Sequence, residues 1–577
     1  MNNLKKTTVL LAVVTMLSGC INSDRYVKES QDTTTNQVST NKQESDKKIK
    51  SEAKDEMVNN YVSKPAPKMV RNQALKVAPA TTGAIAPNEP EYKKQKQDFN
   101  TEEYSNIEEN IFLTSEKNPL STFSIDVDTA SYSNIRRFIN SNQLPPKDAV
   151  RIEEMLNYFT YNYPQPTGKD PFSINLDMTQ SPWNKENKIV RVGLQGKKID
   201  TKKMPPANIV FLIDTSGSME DENKLPLLKS AYKLLVNELR EQDRVSIVAY
   251  AGSAGVVLEP TSGIYKDKII QAIDNLQAGG STAGGEGIEL AYKLAEQSFK
   301  ENGNNRVILA TDGDFNVGAS SEGELIRLIE EKRQKGVFLS VLGFGMGNYK
   351  DSKMEQLADK GNGNYAYIDS IKEAKKVFVE QMGSTLLTIA KDVKIQIEFN
   401  PNKVQAYRLI GYENRKLNNE DFNDDKKDAG EMGSGHSVTA LYEIVPVGIN
   451  SKYIKSVDKL KYQETNKTIE SVNDEILTVK FRYKNPKEDK SNLITKTLKD
   501  QEIQLSKVSS DLRFALSVAQ FGMILRNSEF RGNSTLNDTL SLASSSVNNN
   551  DYRKEFFKLV EKYQGLTKNE NKQGYND

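Results

Sequence analysis

The sequence holds a single cysteine, Cys20, a single histidine, His436, and a single tryptophan, Trp183. No disulfide can form within the chain, and neither a His/Cys zinc cage nor a Cys–His dyad can be assembled from these residues. A Ser–His arrangement would have to use His436. An excess of either charge is also lacking, with 79 Lys and Arg against 78 Asp and Glu. Without the two lysines of residues 1–19 the balance is 77 basic to 78 acidic, so there is no electrostatic case for nucleic acid as a partner. Long apolar runs are missing too. The stretch Thr8–Leu17 is too short to span a bilayer, and its basic start at Lys5 and Lys6 gives it the layout of a secretory signal. From Ile21 to about Asn100 large apolar residues are nearly absent, while Ser, Thr, Asn, Gln, Lys and Glu abound. Such a segment cannot bury enough surface to offset chain entropy. Pro65, Pro67, Pro79, Pro87 and Pro90 mark its second half as extended.

What is present is organised around Asn208–Met219. Ile209 to Ile213 form a continuous apolar run bounded by turn residues, the pattern of a strand buried on both faces. It ends in Asp214, Ser216 and Ser218, with Gly217 between the serines. These are hard oxygen ligands in one short loop, placed where open α/β sheets bind ligands. One carboxylate and two hydroxyls suit Mg²⁺, which takes oxygen octahedrally and keeps several waters. This Asp-x-Ser-x-Ser pattern after an apolar strand resembles the metal-ion-dependent adhesion site of von Willebrand factor type A domains. The resemblance implies a third hydroxyl and a second carboxylate from two later loops. Gly279-Gly280-Ser281-Thr282 matches the first, giving Thr282; Ala310-Thr311-Asp312-Gly313, after the strand Arg306–Ala310, matches the second, giving Asp312.

Rival readings of the same residues fare worse. An aspartic-protease loop needs two aspartates sharing a proton, and Asp214-Thr215-Ser216-Gly217 has no second copy. A nucleophile elbow needs Gly two residues before its serine, where Asp214 stands before Ser216. Capping of the following helix by Asp214 and the serines explains neither Thr282 nor Asp312.

Length and composition, 577 residues with 37% hydrophobic and 27% charged, suit two to four domains with a polar extension. Residues 1–19 are the expected signal. Leu17-Ser18-Gly19-Cys20 resembles the bacterial lipobox, which implies cleavage before Cys20 and lipidation of it. Ile21 follows where the inner-membrane retention signal of enteric bacteria has Asp, so outer-membrane attachment is the expectation if the organism has one. Residues 20–100 are expected to be a disordered tether. Residues 101–204 form an N-terminal module: a strand at Phe123–Val127, a helix capped by Asp128 through Tyr132, Ile135, Phe138 and Ile139, a helix at about Val150–Tyr161, and strands at Phe172–Met178 and Ile189–Gln195. Asp126 and Asp128 read as turn and cap residues rather than metal ligands.

Residues 205–390 alternate strands with amphipathic helices. This predicts an α/β, doubly wound, mostly parallel sheet of the type A, Rossmann-like kind, flanked by α+β and β-rich modules. A last helix is expected over Ile371–Ile389. Gly343–Gly347 should end the fifth strand beside the metal. Residues 391–577 read as a β-rich module with terminal helices at Leu512–Leu525 and Tyr552–Tyr563, and His436 as a structural residue in a Gly-rich turn. Ser124–Arg137, Leu409–Glu413 and Ala429–Pro446 resemble the modules that flank the type A domain in one group of bacterial lipoproteins.

The resemblance implies a binding module. Asp214, Ser216, Ser218, Thr282 and Asp312 would hold Mg²⁺ (or Mn²⁺), and an unidentified protein ligand would supply an acidic residue to its open position. The chain is expected to be lipid-anchored through Cys20 in a bacterial cell envelope, and not to be an enzyme. Two alternatives are a metal-dependent hydrolase with an activated water, which lacks an evident general base, and a structural envelope protein with a vestigial site.

Overall fold

The computed structural model describes residues 101–573 apart from 283, 314, 316–320, 455–473, 502 and 548–549. The signal segment, Cys20 and the tether lie outside the described residues. Among the described residues no helix is long and apolar enough to cross a membrane.

The first described segment carries β1 (Leu113–Thr114), β2 (Leu120–Ser124), α1 (Ala130–Asn140), α2 (Ile152–Asn157) and the antiparallel pair β3 (Phe172–Gln180) and β4 (Lys188–Gly196). Tyr132, Ile135, Phe138 and Ile139 of α1 are all buried, as their helical spacing predicts. Asp128 does not cap this helix. Thr129 holds the cap position without a side-chain bond, and Asp128 Oδ1 instead accepts the Tyr365 N–H at 2.8 Å. Helix α2 ends at Asn157, short of Tyr161, and the Asn157 side chain bonds the Thr439 backbone, donating to its carbonyl at 3.1 Å and accepting its N–H at 2.7 Å.

The next stretch builds the doubly wound sheet. Its elements are β5 (Ala207–Asp214), α3 (Leu225–Glu238), β6 (Arg244–Tyr250), β7 (Ala254–Ser262), α4 (Lys266–Asp274), α5 (Gly284–Gln297), β8 (Asn304–Thr311), α6 (Glu322–Gln334), β9 (Val337–Gly343), α7 (Asp351–Lys360) and β10 (Tyr365–Tyr367). The strand order is β10-β9-β8-β5-β6-β7, parallel throughout except for β7, which runs antiparallel to β6 at the edge. Pro260 is tolerated in β7 because an edge strand leaves ladder positions unpaired. Strand β5 is buried along its whole length, which is why its sequence does not alternate. Its two faces feed separate cores. Ile209, Phe211 and Ile213 pack with α3 and α4, and Val210 and Leu212 pack with α5, α6 and α7.

The expected single helix over Ile371–Ile389 is broken. α8 (Ile371–Lys375) passes into a π-turn at Lys376–Glu380, α9 (Met382–Leu386) is short, and β11 (Thr388–Phe399) begins directly after it. Gly383, Ser384 and Thr385 are weak helix formers. The Ser434 N–H also donates to the Leu387 carbonyl at 2.8 Å, drawing the chain into a sheet. The last elements are β12 (Val404–Ile410), β13 (Gly430–Gly433), β14 (Ser437–Pro446), β15 (Glu475–Lys484), β16 (Ser491–Lys499), α10 (Ser510–Arg526), α11 (Leu536–Ser544) and α12 (Asp551–Gln573).

The segments on either side of the doubly wound sheet pair strand to strand. β14 adds to β4 with Ala440 opposite Val192, and β11 adds to β2 with Ile395 opposite Phe123. One sheet runs β1-β12-β14-β4-β3; the other runs β13-β11-β15-β16 with β2 also on β11. Phe123, Ile395 and Phe399 from the second meet Val192, Tyr407 and Tyr442 from the first in one core. The chain therefore leaves this two-sheet body after β4 and re-enters it in β11. Helices α1, α2, α10, α11 and α12 cluster in a further core around Phe159, Phe514 and Phe556.

Candidate metal centre

Asp214 is the last residue of β5, and Asp312 directly follows β8. The two strands are parallel neighbours, so both carboxylates leave the sheet at its C-terminal end. From β5 the winding proceeds to β6 on one side, and from β8 to β9 on the other. The pair thus flanks the topological switch point, where such sheets bind ligands.

Asp214 is fully buried, and both its oxygens are held. Oδ1 accepts the Ser216 N–H at 2.9 Å; Oδ2 accepts the Thr311 hydroxyl at 3.0 Å and the Tyr250 hydroxyl at 3.2 Å. Ser216 Oγ and Ser218 Oγ lie 3.0 Å apart, Ser216 buried and Ser218 exposed. The site therefore opens to solvent on the Ser218 side. Asp312 is 2% exposed. Its Oδ2 accepts the Lys224 ammonium at 3.1 Å, while its Oδ1 is buried with no hydrogen-bond partner among the described residues. Thr282 is half-buried in the loop before α5. Two backbone bonds tie that loop to the Asp214 loop, Gly217 N–H to the Gly280 carbonyl at 3.1 Å and Gly279 N–H to the Thr215 carbonyl at 2.8 Å. Gly280 has φ +85°, a conformation that favours glycine at this junction.

Burial pushes the Asp214 carboxyl above its ordinary range, opposed by the Ser216 hydrogen bonds and reinforced by the charge of Asp312. Two buried carboxylates, one with a bare oxygen, and neighbouring hydroxyls make an all-oxygen donor set that fits a hard divalent cation. Glu220, Asp221 and Glu286 are exposed nearby in sequence. Sequence reasoning missed Thr311, Tyr250 and Lys224. Thr311 and Tyr250 end the strands β8 and β6 beside β5, so strand order would have pointed to them. Lys224 carries no local signal, because its partner Asp312 lies 88 residues away.

His436 stands apart from these residues. It is half-buried, burial lowers its pKa to about 4, and it lines a cavity with Arg306, Asp359 and Glu431 that none of the five candidate ligands lines. A second acidic group lies where the doubly wound sheet meets the two-sheet body. Oxygens of Asp128, Glu154 and Glu355 come within 4.8 Å of one another, but arginines already occupy them. Arg415 donates to Glu355 at 2.8 Å and Asp128 at 3.3 Å, and Arg151 pairs with Glu154 and with Asp351 at 2.5 Å. This is an ionic seam.

Comparison with known proteins supports a type A domain at the centre of the chain. Residues 208–380 match the von Willebrand factor type A domain, residues 98–191 match a family described as von Willebrand factor, and residues 384–566 match "Uncharacterized protein YfbK, C-terminal". The protein YfbK of Escherichia coli (strain K12), described as uncharacterized, is 43% identical over 477 residues, spanning 81% of this chain and 82% of that one. The uncharacterized protein sll0103 of Synechocystis is 30% identical over 189 residues, 33% of this chain and 44% of that one. Among solved structures, a von Willebrand factor type A protein from Catenulispora acidiphila aligns over 67% of this chain and 88% of its own, at 16% identity and TM-score 0.37. The chain belongs to the YfbK family of bacterial proteins, with a type A domain of α/β fold at its centre.

Proposed function

We propose that this chain is a lipid-anchored protein of a bacterial cell envelope that binds a partner protein through a Mg²⁺-dependent (or Mn²⁺-dependent) adhesion site. Asp214, Ser216, Ser218, Thr282 and Asp312 would hold the ion, and a bound cation there would offer a Lewis-acid position to a Glu or Asp carboxylate of the partner. The observation that carries the reading is the convergence of the buried carboxylates of Asp214 and Asp312 at the switch point, with Asp312 Oδ1 unpartnered among the described residues. No residue is assigned a catalytic role. Attachment through Cys20 rests on the Leu17–Cys20 pattern after the signal-like stretch Thr8–Leu17, and placement at the outer membrane, where there is one, rests on Ile21.

The test is capture from detergent-solubilised envelope extract on the immobilised chain, in Mg²⁺ and in EDTA. A partner retained in Mg²⁺, released by EDTA and not retained by Asp312→Ala supports the reading. Equal capture by Asp312→Ala would place the binding surface away from the metal. For the anchor, Cys20→Ala should move the protein from the membrane to the soluble fraction; continued partition into the detergent phase would rule out lipidation as the attachment.

A further inference from the structure

Lys224 stands immediately before α3, and its side chain is 9% exposed. Its ammonium donates to the Ser218 carbonyl at 2.8 Å and to Asp312 Oδ2 at 3.1 Å. The other carboxylate near it, Asp221 at 3.5 Å, is solvent-exposed and contributes little. The stem of Lys224 lies under the loop after β9. Gly345, at φ +74°, leaves no room for a side chain because a Cβ there would meet the Lys224 methylenes. That loop is held in turn by the Tyr367 hydroxyl, which donates to the Gly345 carbonyl at 2.5 Å. Lys224 is thus built into the site, with its charge fixed on one of the two candidate carboxylate ligands.

A buried ammonium needs an anion, and Asp312 needs a cation. The Lys224 ammonium offsets part of the negative charge that Asp214 and Asp312 can offer a cation. We propose that Lys224 is the resident counter-ion of the metal site. It holds Asp312 in position when no divalent cation is bound, and it lowers the affinity for that cation by competing for the Asp312 carboxylate. The inference rests on the metal reading of Asp214 and Asp312 and adds that metal affinity is held down by a residue of the chain itself.

The test is calorimetric titration of the full chain with MgCl₂, comparing wild type with Lys224→Met, Lys224→Gln and Lys224→Arg, alongside melting curves in EDTA. Methionine keeps the stem without the charge. Glutamine keeps a donor without the charge and carries the test if the methionine variant does not fold. Arginine keeps the charge. The neutral variants should bind Mg²⁺ roughly tenfold tighter or more, as expected when a like charge is removed from a partly desolvated site. They should also melt at a lower temperature in EDTA, and arginine should stay near wild type. Mg²⁺ binding by wild type with equal or weaker binding by the neutral variants overturns the counter-ion role and leaves the metal site standing. No binding by any of the four proteins overturns both.

Discussion

Lys376 sits in the π-turn, 3% exposed, its ammonium 2.9 Å from the centre of the Tyr158 ring and without a hydrogen-bond partner among the described residues. Burial lowers its pKa from 10.5 to about 7, against the opposing pull of Glu373. Between pH 7 and 10.5 the folded chain holds its Lys376 neutral while the unfolded chain keeps the proton. The unfolded state then binds more protons, so this residue makes stability rise with pH across that window. Lys376→Met should accordingly raise the melting temperature most at or below pH 7, with the gain shrinking toward pH 10.5. A gain that is flat with pH would mean that the lysine is charged in the folded chain. Lys224 is the contrasting case: it is nearly as buried, but it has an acid to hold.

At the scale of elements, much of the doubly wound sheet could be read locally. β5 announces itself because covering both faces demands an unbroken apolar run, and α3 because Leu225, Leu228, Tyr232 and Leu235 line one face. The five candidate ligands were legible because each sits in a short motif at a strand end or helix start. Where the reading failed, local pattern and tertiary context disagreed. Val377, Phe378 and Leu386 are all buried, yet a π-turn over Lys376–Glu380 interrupts the helix, α9 is only one short turn, and β11 takes over. Strand β16 carries little local signal, because it is mostly exposed at a sheet edge and its sequence is largely polar. The union of the two flanking segments was not legible at all. It depends on pairing β4 with β14 and β2 with β11 across the whole inserted domain, and periodicity within a strand does not name its partner.

At the scale of the whole molecule, buried arginines join the type A domain to the body. Arg136 links α1 to Asp369 at 2.5 Å, Glu373 at 2.7 Å and Glu555 at 2.7 Å; Arg151 and Arg415 cross to α7 through Asp351, Glu355 and Asp359. Removing one such arginine leaves buried carboxylates uncompensated, so Arg415→Ala should cost about 3–5 kcal/mol in denaturant unfolding. It should also separate melting of the type A domain from that of the body. An unchanged midpoint would show the seam to be energetically neutral. Asp214 and Asp312 are proposed to hold a divalent cation at the switch point of the sheet. The direct measurement is calorimetric titration of the full chain with MgCl₂, wild type against Asp214→Ala and Ser218→Ala, with circular dichroism to confirm that each is folded. Because the carboxylates carry most of the attraction for the ion, Asp214→Ala should lose Mg²⁺ binding far more than Ser218→Ala; equal affinity in folded wild type and folded Asp214→Ala would contradict the account.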